Sequence, residues 1–276
     1  MMEWPESRVV SRQMNETIRG KRIEKVSQGN SPHKFFFTNK EAPYLPELLE
    51  GRALGQAKAY GIYIEVEAEE NALLLGEGIN LRFIRQGQAP PPKYQILLEL
   101  EGGDALSGSI QMYGGAWAYP KGTFENPYYT VAKEKPSPYT DDFDESWFEG
   151  LHRELKPNLS AKAFLATEQR IPGLGNGVLQ DILLLAGIHP KRKIGTFSDG
   201  DWENLYEKVK TLLKKMEDEG GRDTEKDLFG TQGQYRVLLS AKTWKEPCPL
   251  CGGKVEKQNY LGGSIYFCPT CQPLQG

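Results

Sequence analysis

The order of apolar and polar residues begins with a helical pattern. Four apolar residues recur every three to four positions within residues 6–19: Val9, Val10, Met14 and Ile18. This spacing puts their side chains on one face of an amphipathic helix, and Gly20 follows as a stop signal. The sequence therefore predicts one helix near the start of the chain.

From residue 21 to residue 118 the pattern changes to short apolar runs separated by turn residues. Five runs have the length and composition of strands: Lys34–Thr38, Gly61–Glu67, Ala72–Leu75, Tyr94–Leu100 and Ala116–Tyr119. The break at Glu69-Glu70-Asn71 predicts a hairpin turn between two of them. We expect this half to be a β-sandwich or barrel led by the helix, and of the two we take the sandwich.

A proline-containing stretch separates this half from a helical one. Pro136 and Pro138 precede an acidic run, and helical spacing follows, most clearly in Asp201–Glu219. Gly220-Gly221 ends that helix. The predicted fold class is α+β, with a β-sandwich domain at 1–132, a linker at 133–144, a helical domain at 145–244 and a cysteine segment at 245–276.

Composition narrows the class of protein. The 276 residues are 38% hydrophobic, contain no run of 18 apolar residues and lack a signal-peptide pattern, which predicts a globular protein of the cytoplasm that does not contact membranes. The net charge of −3 excludes a uniformly basic nucleic-acid binder. Residues 101–150 hold three Lys or Arg against nine Asp or Glu, whereas residues 151–200 hold seven against four. Any polyanion site must therefore be local, and 151–200 is the first segment to consider.

The cysteines form a compact pattern at the end of the chain. All four lie in two Cys-x-x-Cys pairs separated by 16 residues: Cys248, Cys251, Cys268 and Cys271. Two such pairs are typical of a site in which four thiolates surround one zinc ion. Lys254–Gln258 and Ser264–Phe267, between the pairs, predict a hairpin. Because four protein ligands leave no open position, we expect one structural zinc ion per chain.

A glycine-rich turn at 171–177 precedes a second helical pattern at Val178–Leu185. Backbone N–H groups at the start of a helix bind phosphate, and Gly175 and the Asn176 side chain would contribute to such a site. The alternative is an ordinary helix–turn–helix core followed by a solvated basic tail.

Taken together, these segments resemble the formamidopyrimidine-DNA glycosylase and endonuclease VIII family, whose members excise damaged bases and nick the resulting abasic site. Four stretches carry the resemblance, in family order: Glu3–Glu6, Pro136–Phe143, Gly173–Pro190 and the cysteine segment. The third is similar to the family's helix–two-turn–helix, and the fourth to its zinc finger. The resemblance covers essentially the whole chain. It implies a monomer that binds damaged or abasic double-stranded DNA and associates with the nucleoid when bound.

The resemblance assigns roles to residues near the start of the chain. In the family a proline after the initiator methionine attacks the sugar carbon C1′, and here that position is Met2. Glu3 corresponds to the carboxylate that handles the sugar protons, and Glu6 is retained as well. The lysine of the family's central strand corresponds to Lys58, or it is absent and Tyr60 takes its place.

The source of the nucleophile is therefore open. The α-amine of Met1 is one possibility, and the amine of Lys58 is another if burial removes its proton. A water molecule activated by Glu3 is the third, and it would give a glycosylase without lyase activity. Each is poorer than proline's secondary amine, so we expect a weakened lyase step.

The resemblance also assigns contacts with DNA. Lys162 lies 14 residues before Asn176, the offset of the family's phosphate-binding lysine. The family's zinc-finger arginine, which grips the phosphates flanking the flipped nucleotide, corresponds to Gly263 and is missing. Ile79 takes the place of the wedge methionine, and Gln111-Met112-Tyr113 replaces the intercalating Arg-Arg-Phe run.

The favoured function is a DNA-repair glycosylase acting on damaged bases, with possible abasic-site lyase activity. The second hypothesis is a protein that binds damaged DNA or a DNA structure without catalysis, because Lys162, Asn176 and the cysteines remain while the proline and the arginine are lost. The third is a β-rich half that binds protein or RNA partners.

Overall fold

The structure is a computed structural model that describes residues 1–41, 43–153 and 155–274; Gln275 and Gly276 of the predicted cysteine segment lie outside the described residues. The chain divides into two compact units. The first contains Met1–Lys133 with Gly220–Gln234, and the second contains Glu134–Glu219 with Tyr235–Gly276.

Most strands lie between residues 23 and 120, and most helices follow them. The helices are α1 (Trp4–Thr17), α2 (Leu45–Leu49), α3 (Pro127–Glu134), α4 (Glu145–Arg153), α5 (Ala161–Ala166), α6 (Asn176–Leu185) and α7 (Asp199–Asp218). The strands are β1 (Ile23–Gln28), β2 (Phe36–Phe37), β3 (Leu54–Tyr60), β4 (Tyr63–Ala68), β5 (Asn71–Gly76), β6 (Asn80–Ile84), β7 (Ile96–Leu100), β8 (Ala105–Ser109), β9 (Gly114–Pro120), β10 (Glu256–Tyr260) and β11 (Gly263–Phe267). Within the described ranges, no helix combines the length and apolar character that crossing a membrane requires.

The first unit is a sandwich of two sheets. One sheet has the strand order β2-β9-β5-β4-β3 and the other β1-β7-β8-β6. Side chains from both sheets form one hydrophobic core, to which α1 adds Val10 and Met14. The turn between β4 and β5 lies where the sequence predicts it: Ala68 pairs with Asn71, and Glu69 has a left-handed φ of 54°. The predicted helix followed by a β-sandwich is therefore confirmed.

The segment 220–234 lies on the first unit, whereas the sequence analysis placed it in a helical domain at 145–244. Leu228 is buried in the sandwich core, and the N–H of Phe83 donates to its carbonyl at 2.9 Å. Gln13 of α1 holds the segment with both ends of its amide, since Nε2 donates to Asp227 Oδ2 at 2.8 Å and Oε1 accepts the N–H of Leu228 at 3.0 Å. Burial of Leu228 in the sandwich core therefore holds this segment on the first unit. The residues around Leu228 have no helical periodicity that would indicate this placement.

The second unit combines α4 to α7 with the β10–β11 hairpin. α6 ends just before Gly187, whose φ of 69° is the left-handed conformation that favours glycine. Buried Asp181 of α6 accepts hydrogen bonds from the Tyr235 hydroxyl at 3.0 Å and from the N–H groups of Leu238 and Leu239 at 2.9 Å. These bonds fix the chain on its way into the cysteine segment.

Candidate functional site

The start of α1 brings two carboxylates together in the interior of the first unit. Glu6 lies in the first turn, where its Oε2 accepts the backbone N–H of Glu3 at 3.0 Å. Both side chains are buried. Two carboxylates buried so close to each other need a cation if they are to remain ionised.

Arg222, from the segment 220–234, supplies that cation. Its Nη2 lies 2.7 Å from Glu6 Oε2 and its Nε lies 2.9 Å from Glu6 Oε1, a two-point contact. Its Nη1 is 3.6 Å from Glu3 Oε1, and Nη2 also donates to the carbonyl of Met1 at 3.0 Å. One buried guanidinium therefore joins both carboxylates to the start of the chain.

Burial and charge act in opposite directions on this ion pair. Burial alone would raise the pKa of Glu6, but the charge and hydrogen bonds of Arg222 outweigh it and hold that pKa below its ordinary value. Burial would lower the pKa of Arg222, yet the charges of Glu6 and Glu3 raise it overall. Both groups are therefore charged inside the protein.

The position that carries the proline in the resembled family is an apolar anchor here. Met2 is buried in the same core cluster as Val10. Its nitrogen belongs to a peptide bond, so it offers no amine for attack. The amino group of Met1 lies 2.5 Å from Glu225 Oε1, and this ion pair must open before that nitrogen can react.

Met1 also lines a cavity of about 470 Å³ within the first unit. The walls come from β6, from the connection between β8 and β9, and from residues 224–227. Its polar residues include Asn80, Arg82, Ser109, Gln111, Glu225 and Asp227. The cavity thus places hydrogen-bonding groups of both charges next to the start of the chain.

Lys58 is exposed on β3, where it lies opposite Glu65 in the register with β4. A lysine becomes a nucleophile through loss of its proton, which burial favours and exposure does not. Its exposure therefore does not favour Lys58 as the nucleophile that forms a Schiff base, and this assignment stays a prediction. Tyr60, the alternative in this alignment, has the amine of Lys133 5.4 Å from the centre of its ring.

The expected intercalating residues divide into one buried and three exposed side chains. Ile79 is 2% exposed and fills the space over Gly108, where an added Cβ would lie 2.6 Å from Ile79 Cδ1. A wedge must project from the surface to fill a gap between bases, so the assignment of Ile79 as the wedge stays a prediction. Met112 and Tyr113 are 66% and 39% exposed, and with exposed Gln111 they form the loop before β9.

In the second unit Lys162 of α5 and Asn176 at the start of α6 meet the β10–β11 hairpin. Lys162 Nζ donates to the carbonyl of Tyr260 at 2.7 Å, and Asn176 Nδ2 donates to the carbonyl of Ser264 at 3.0 Å. Lys162 is buried, and this burial lowers its pKa. The sequence spacing of 14 residues thus brings two donors to the same hairpin.

Gly263 lies directly against this pair. A Cβ at position 263 would lie 3.2 Å from Asn176 Nδ2 and 3.6 Å from Lys162 Nζ. The position where the resembled family carries an arginine is therefore a close backbone contact in this chain, and it supplies no side chain to DNA.

The four cysteines come together at the base of the hairpin. Their Sγ atoms all lie within 4.8 Å of one another, with 3.8 Å between Cys248 and Cys271 and 3.5 Å between Cys251 and Cys268. Four sulfur ligands placed tetrahedrally about 2.3 Å from a zinc ion lie about 3.8 Å apart. The cluster therefore has the dimensions of a metal site.

Arg222 is the functional candidate that sequence reasoning missed. Its main partner, Glu6, lies 216 residues earlier in the chain. A single arginine after a glycine pair forms no motif, and residues 222–244 show no periodicity that would place it. Only the fold reveals the contact.

Known proteins resemble this chain over nearly its full length, although no family model matches it. A formamidopyrimidine-DNA glycosylase of Legionella pneumophila (strain Lens) is 29% identical over 238 residues, which is 83% of this chain and 85% of the relative. A protein of the same name from Hydrogenovibrio crunogenus is 26% identical over 279 residues, or 99% and 96%.

Solved structures share the fold. The MutM (Fpg) protein from Thermus thermophilus has a TM-score of 0.82 at 23% identity, covering 99% of this chain and 100% of that one. A complex between Lactococcus lactis Fpg (MutM) and DNA containing an oxidized pyrimidine has a TM-score of 0.82 at 25% identity, covering 98% and 99%. The helix-led sandwich, the helical unit and the four-cysteine hairpin define a helix–two-turn–helix protein with a cysteine finger. In sequence and in fold, this chain is similar over most of its length to formamidopyrimidine-DNA glycosylases.

Proposed function

We propose that this protein is a DNA-repair glycosylase that binds damaged double-stranded DNA as a monomer and releases the damaged base. The observation that carries the proposal is the retained carboxylate pair: Glu3 and Glu6 share one buried guanidinium beside a polar cavity that Met1 lines. The named activity of the relatives and the damaged DNA bound by a structural neighbour support it. We expect a protein with this function to be in the cytoplasm, and at the nucleoid when it is bound to DNA.

A silent DNA-binding protein explains this arrangement less well. Charged groups lose their hydration when they are buried, and a buried ion pair often contributes less stability than an apolar pair of the same volume. Binding DNA phosphates does not require carboxylates, because like charges repel. The retained pair therefore favours chemistry over binding alone.

Base release breaks the bond between the sugar carbon C1′ and the base nitrogen. The electron pair of that bond leaves with the base, which takes up a proton from solvent, while positive charge develops on the sugar. We assign to Glu3 the stabilisation of that charge and the acceptance of a proton from the water that adds to C1′. The products are the free base and an abasic sugar.

We expect little β-elimination at the abasic site. Met2 is buried and has no free amine, Met1 holds its amino group in an ion pair, and Lys58 is exposed. Schiff-base chemistry needs an uncharged amine that reaches C1′. The water route is therefore the one we propose, and it yields a glycosylase whose lyase step is weak.

We infer that the second unit holds the DNA phosphates. Lys162 and the start of α6 at Gly175 and Asn176 provide the donors, within the stretch 151–200 that carries a positive balance of charge. The exposed loop from Gln111 to Tyr113 would fill the gap left by an extruded base. Phosphate contacts carry no sequence code, so binding should tolerate any sequence and weaken with salt.

We propose that the four cysteines hold one structural zinc ion per chain. The distances between their Sγ atoms match a tetrahedral thiolate site, and four protein ligands leave the ion no position for substrate. The ion would fix the hairpin whose carbonyls, at Tyr260 and Ser264, accept hydrogen bonds from Lys162 and Asn176.

The proposed function is tested by Glu3→Gln, with Glu24→Gln at an exposed position of β1 as the control. Single-turnover base release should be measured on duplexes that carry oxidised and alkylated bases, together with the dissociation constant for each duplex. We expect the rate to fall about 10²–10³-fold in Glu3→Gln, the range found when one preorganised electrostatic group is removed. Affinity should change little, because a carboxylate does not attract phosphates.

Borohydride trapping on abasic DNA completes this experiment. Trapping should be weak in the native protein, whereas strong trapping that disappears with Lys58→Ala would show that lysine is the nucleophile. No base release by the native protein from the whole panel, with damaged DNA still bound, would replace the proposal by the silent binder.

A further inference from the structure

Arg222 occupies a position that the stability of the fold alone does not explain. Its side chain is completely enclosed, and the charged groups around it are Glu3, Glu6, Glu225 and the amino group of Met1. Apolar residues of similar volume often replace a buried ion pair with no loss of stability. A role in the reaction therefore has to be considered for this guanidinium.

The guanidinium contacts its two carboxylates unequally. Glu6 accepts bonds from Nε and Nη2 of Arg222, from the backbone N–H of Arg222 at 3.1 Å and from the backbone N–H of Glu3. Glu3 lies farther away, with 3.6 Å between its Oε1 and Nη1. Glu6 is therefore held by fixed donors and orients the arginine, while Glu3 lies within reach of the charge of the same guanidinium.

The same arginine is tied to the wall of the cavity. Its Nη2 donates to the carbonyl of Met1, and the amino group of Met1 lies 2.5 Å from Glu225. Met1 and Glu225 both line the cavity of about 470 Å³. A change at Arg222 therefore acts on Glu3 and on this wall together.

We propose that Arg222 is a positioning residue for base release, which holds Glu3 as a carboxylate and fixes the start of the chain beside the cavity. The inference rests on the proposed function. Arg222 supplies a permanent positive charge where Met2 supplies only an apolar side chain. A guanidinium does not lose its proton and so does not attack C1′ itself. It acts through Glu3.

The test compares Arg222→Lys, Arg222→Met and the double variant Arg222→Met with Glu6→Gln. Arg236→Met, in an exposed ion pair with Glu246, is the matched control. Arg222→Met leaves two buried carboxylates, Glu3 and Glu6, without their cation and should be unstable, whereas the double variant also removes the charge of Glu6 and should regain most of the thermal stability. The informative quantity is the single-turnover rate of base release as a function of pH.

We expect the double variant to fold and bind damaged DNA within about threefold of the native affinity, yet to release base about 10²-fold more slowly at neutral pH. Glu3, still buried but without its cation, should bind a proton more readily. The acid limb of the rate profile should therefore move to higher pH by about one unit or more. Arg222→Lys keeps the charge and should keep the limb near its native position.

Recovery of both stability and native rate in the double variant would overturn the proposal, because Arg222 would then be structural only. An acid limb that stays in place in that variant would also overturn it. If the native protein releases no base, the proposed function fails, and hydrogen exchange decides the positioning claim. Amides at 2–7 and 222–227 should then exchange faster in the double variant than in Arg222→Lys, and equal rates would reject the anchoring.

Discussion

The start of the chain and the start of α6 both lack a group that the resembled family uses. The residues around the missing group differ between the two regions. At the chain start Met2 replaces a proline, and a buried cation, Arg222, contacts the retained carboxylates. At the start of α6, no arginine stands among the described residues of the hairpin to replace the lost one. Gly263 instead brings the backbone against Asn176 and Lys162.

The missing group therefore concerns the type of chemistry in the first region and the strength of DNA binding in the second. An amine that attacks C1′ and a guanidinium that only holds charge support different chemistry, so we expect the first region to change the reaction path. The contributions of phosphate contacts to affinity add to one another, so the loss of one contact lowers the affinity for DNA without changing which DNA is bound. We therefore expect the first region to determine lyase activity and the second to determine affinity.

The largest expected effect comes from breaking the second region altogether. Cys268→Ser removes one of the four proposed zinc ligands, and because metal binding and local folding are coupled, the hairpin should lose its order. Affinity for damaged DNA should fall at least about 100-fold, the upper range for a disturbed metal site. Zinc content and dissociation constants measure this, with Thr270→Ser as the control. A chain purified without zinc, or a zinc-free variant with native affinity, would contradict it.

The sequence predicted those parts of the molecule that local patterns specify. The strands β4, β5 and β9 and the helix α1 follow from periodicity. β3 was not predicted, because a register shift between Leu54 and Ala57 interrupts its alternation, and β8 is rich in small residues such as Ser107 and Gly108.

The same rule applies to the candidate sites. The cysteine pairs and the spacing of Lys162 and Asn176 are local, and the structure brings their members together. Arg222 and Ile79 depend on contacts between distant segments: no sequence pattern indicates the pairing of Arg222 with Glu6, and none indicates that Ile79 is buried. Composition and spacing carry no information about which of two distant groups will be buried together.

A smaller effect is expected when the second region loses a single phosphate contact. Asn176→Ala removes a donor at the start of α6, and we expect affinity to fall about tenfold, which corresponds to about 1.4 kcal/mol. The loss should be equal for every duplex, because a phosphate contact does not read bases. Asn158→Ala, at an exposed position of the same unit, should change nothing. A change of sequence preference at constant overall affinity would show that Asn176 contacts bases.

The first region should also be visible in acid unfolding. The pKa of Glu6 in the folded protein lies below its ordinary value, so its contribution to stability is present above that value and is lost as pH falls through the folded one. Between pH 7 and pH 3 the native protein should therefore lose more Tm than the double variant of Arg222→Met and Glu6→Gln. We expect a difference of about 2–4 °C for each kcal/mol of linkage. Parallel curves would mean that other carboxylates dominate acid unfolding.

The smallest expected effect tests whether the contact of Asn176 with the hairpin needs a glycine at position 263, or whether this position has only lost the arginine side chain. In Gly263→Ala the new Cβ would lie 3.2 Å from Asn176 Nδ2, closer than ordinary van der Waals contact, so the amide must shift by a few tenths of an ångström. That shift lengthens the 3.0 Å bond to the carbonyl of Ser264, and we expect DNA affinity to fall about two- to fivefold with little change in Tm. Gly150→Ala in α4, where an added Cβ meets nothing within 4 Å, is the control. Unchanged or tighter binding by Gly263→Ala would show that Asn176 does not need the glycine, and the second region would then have lost a clamp without adapting to its absence.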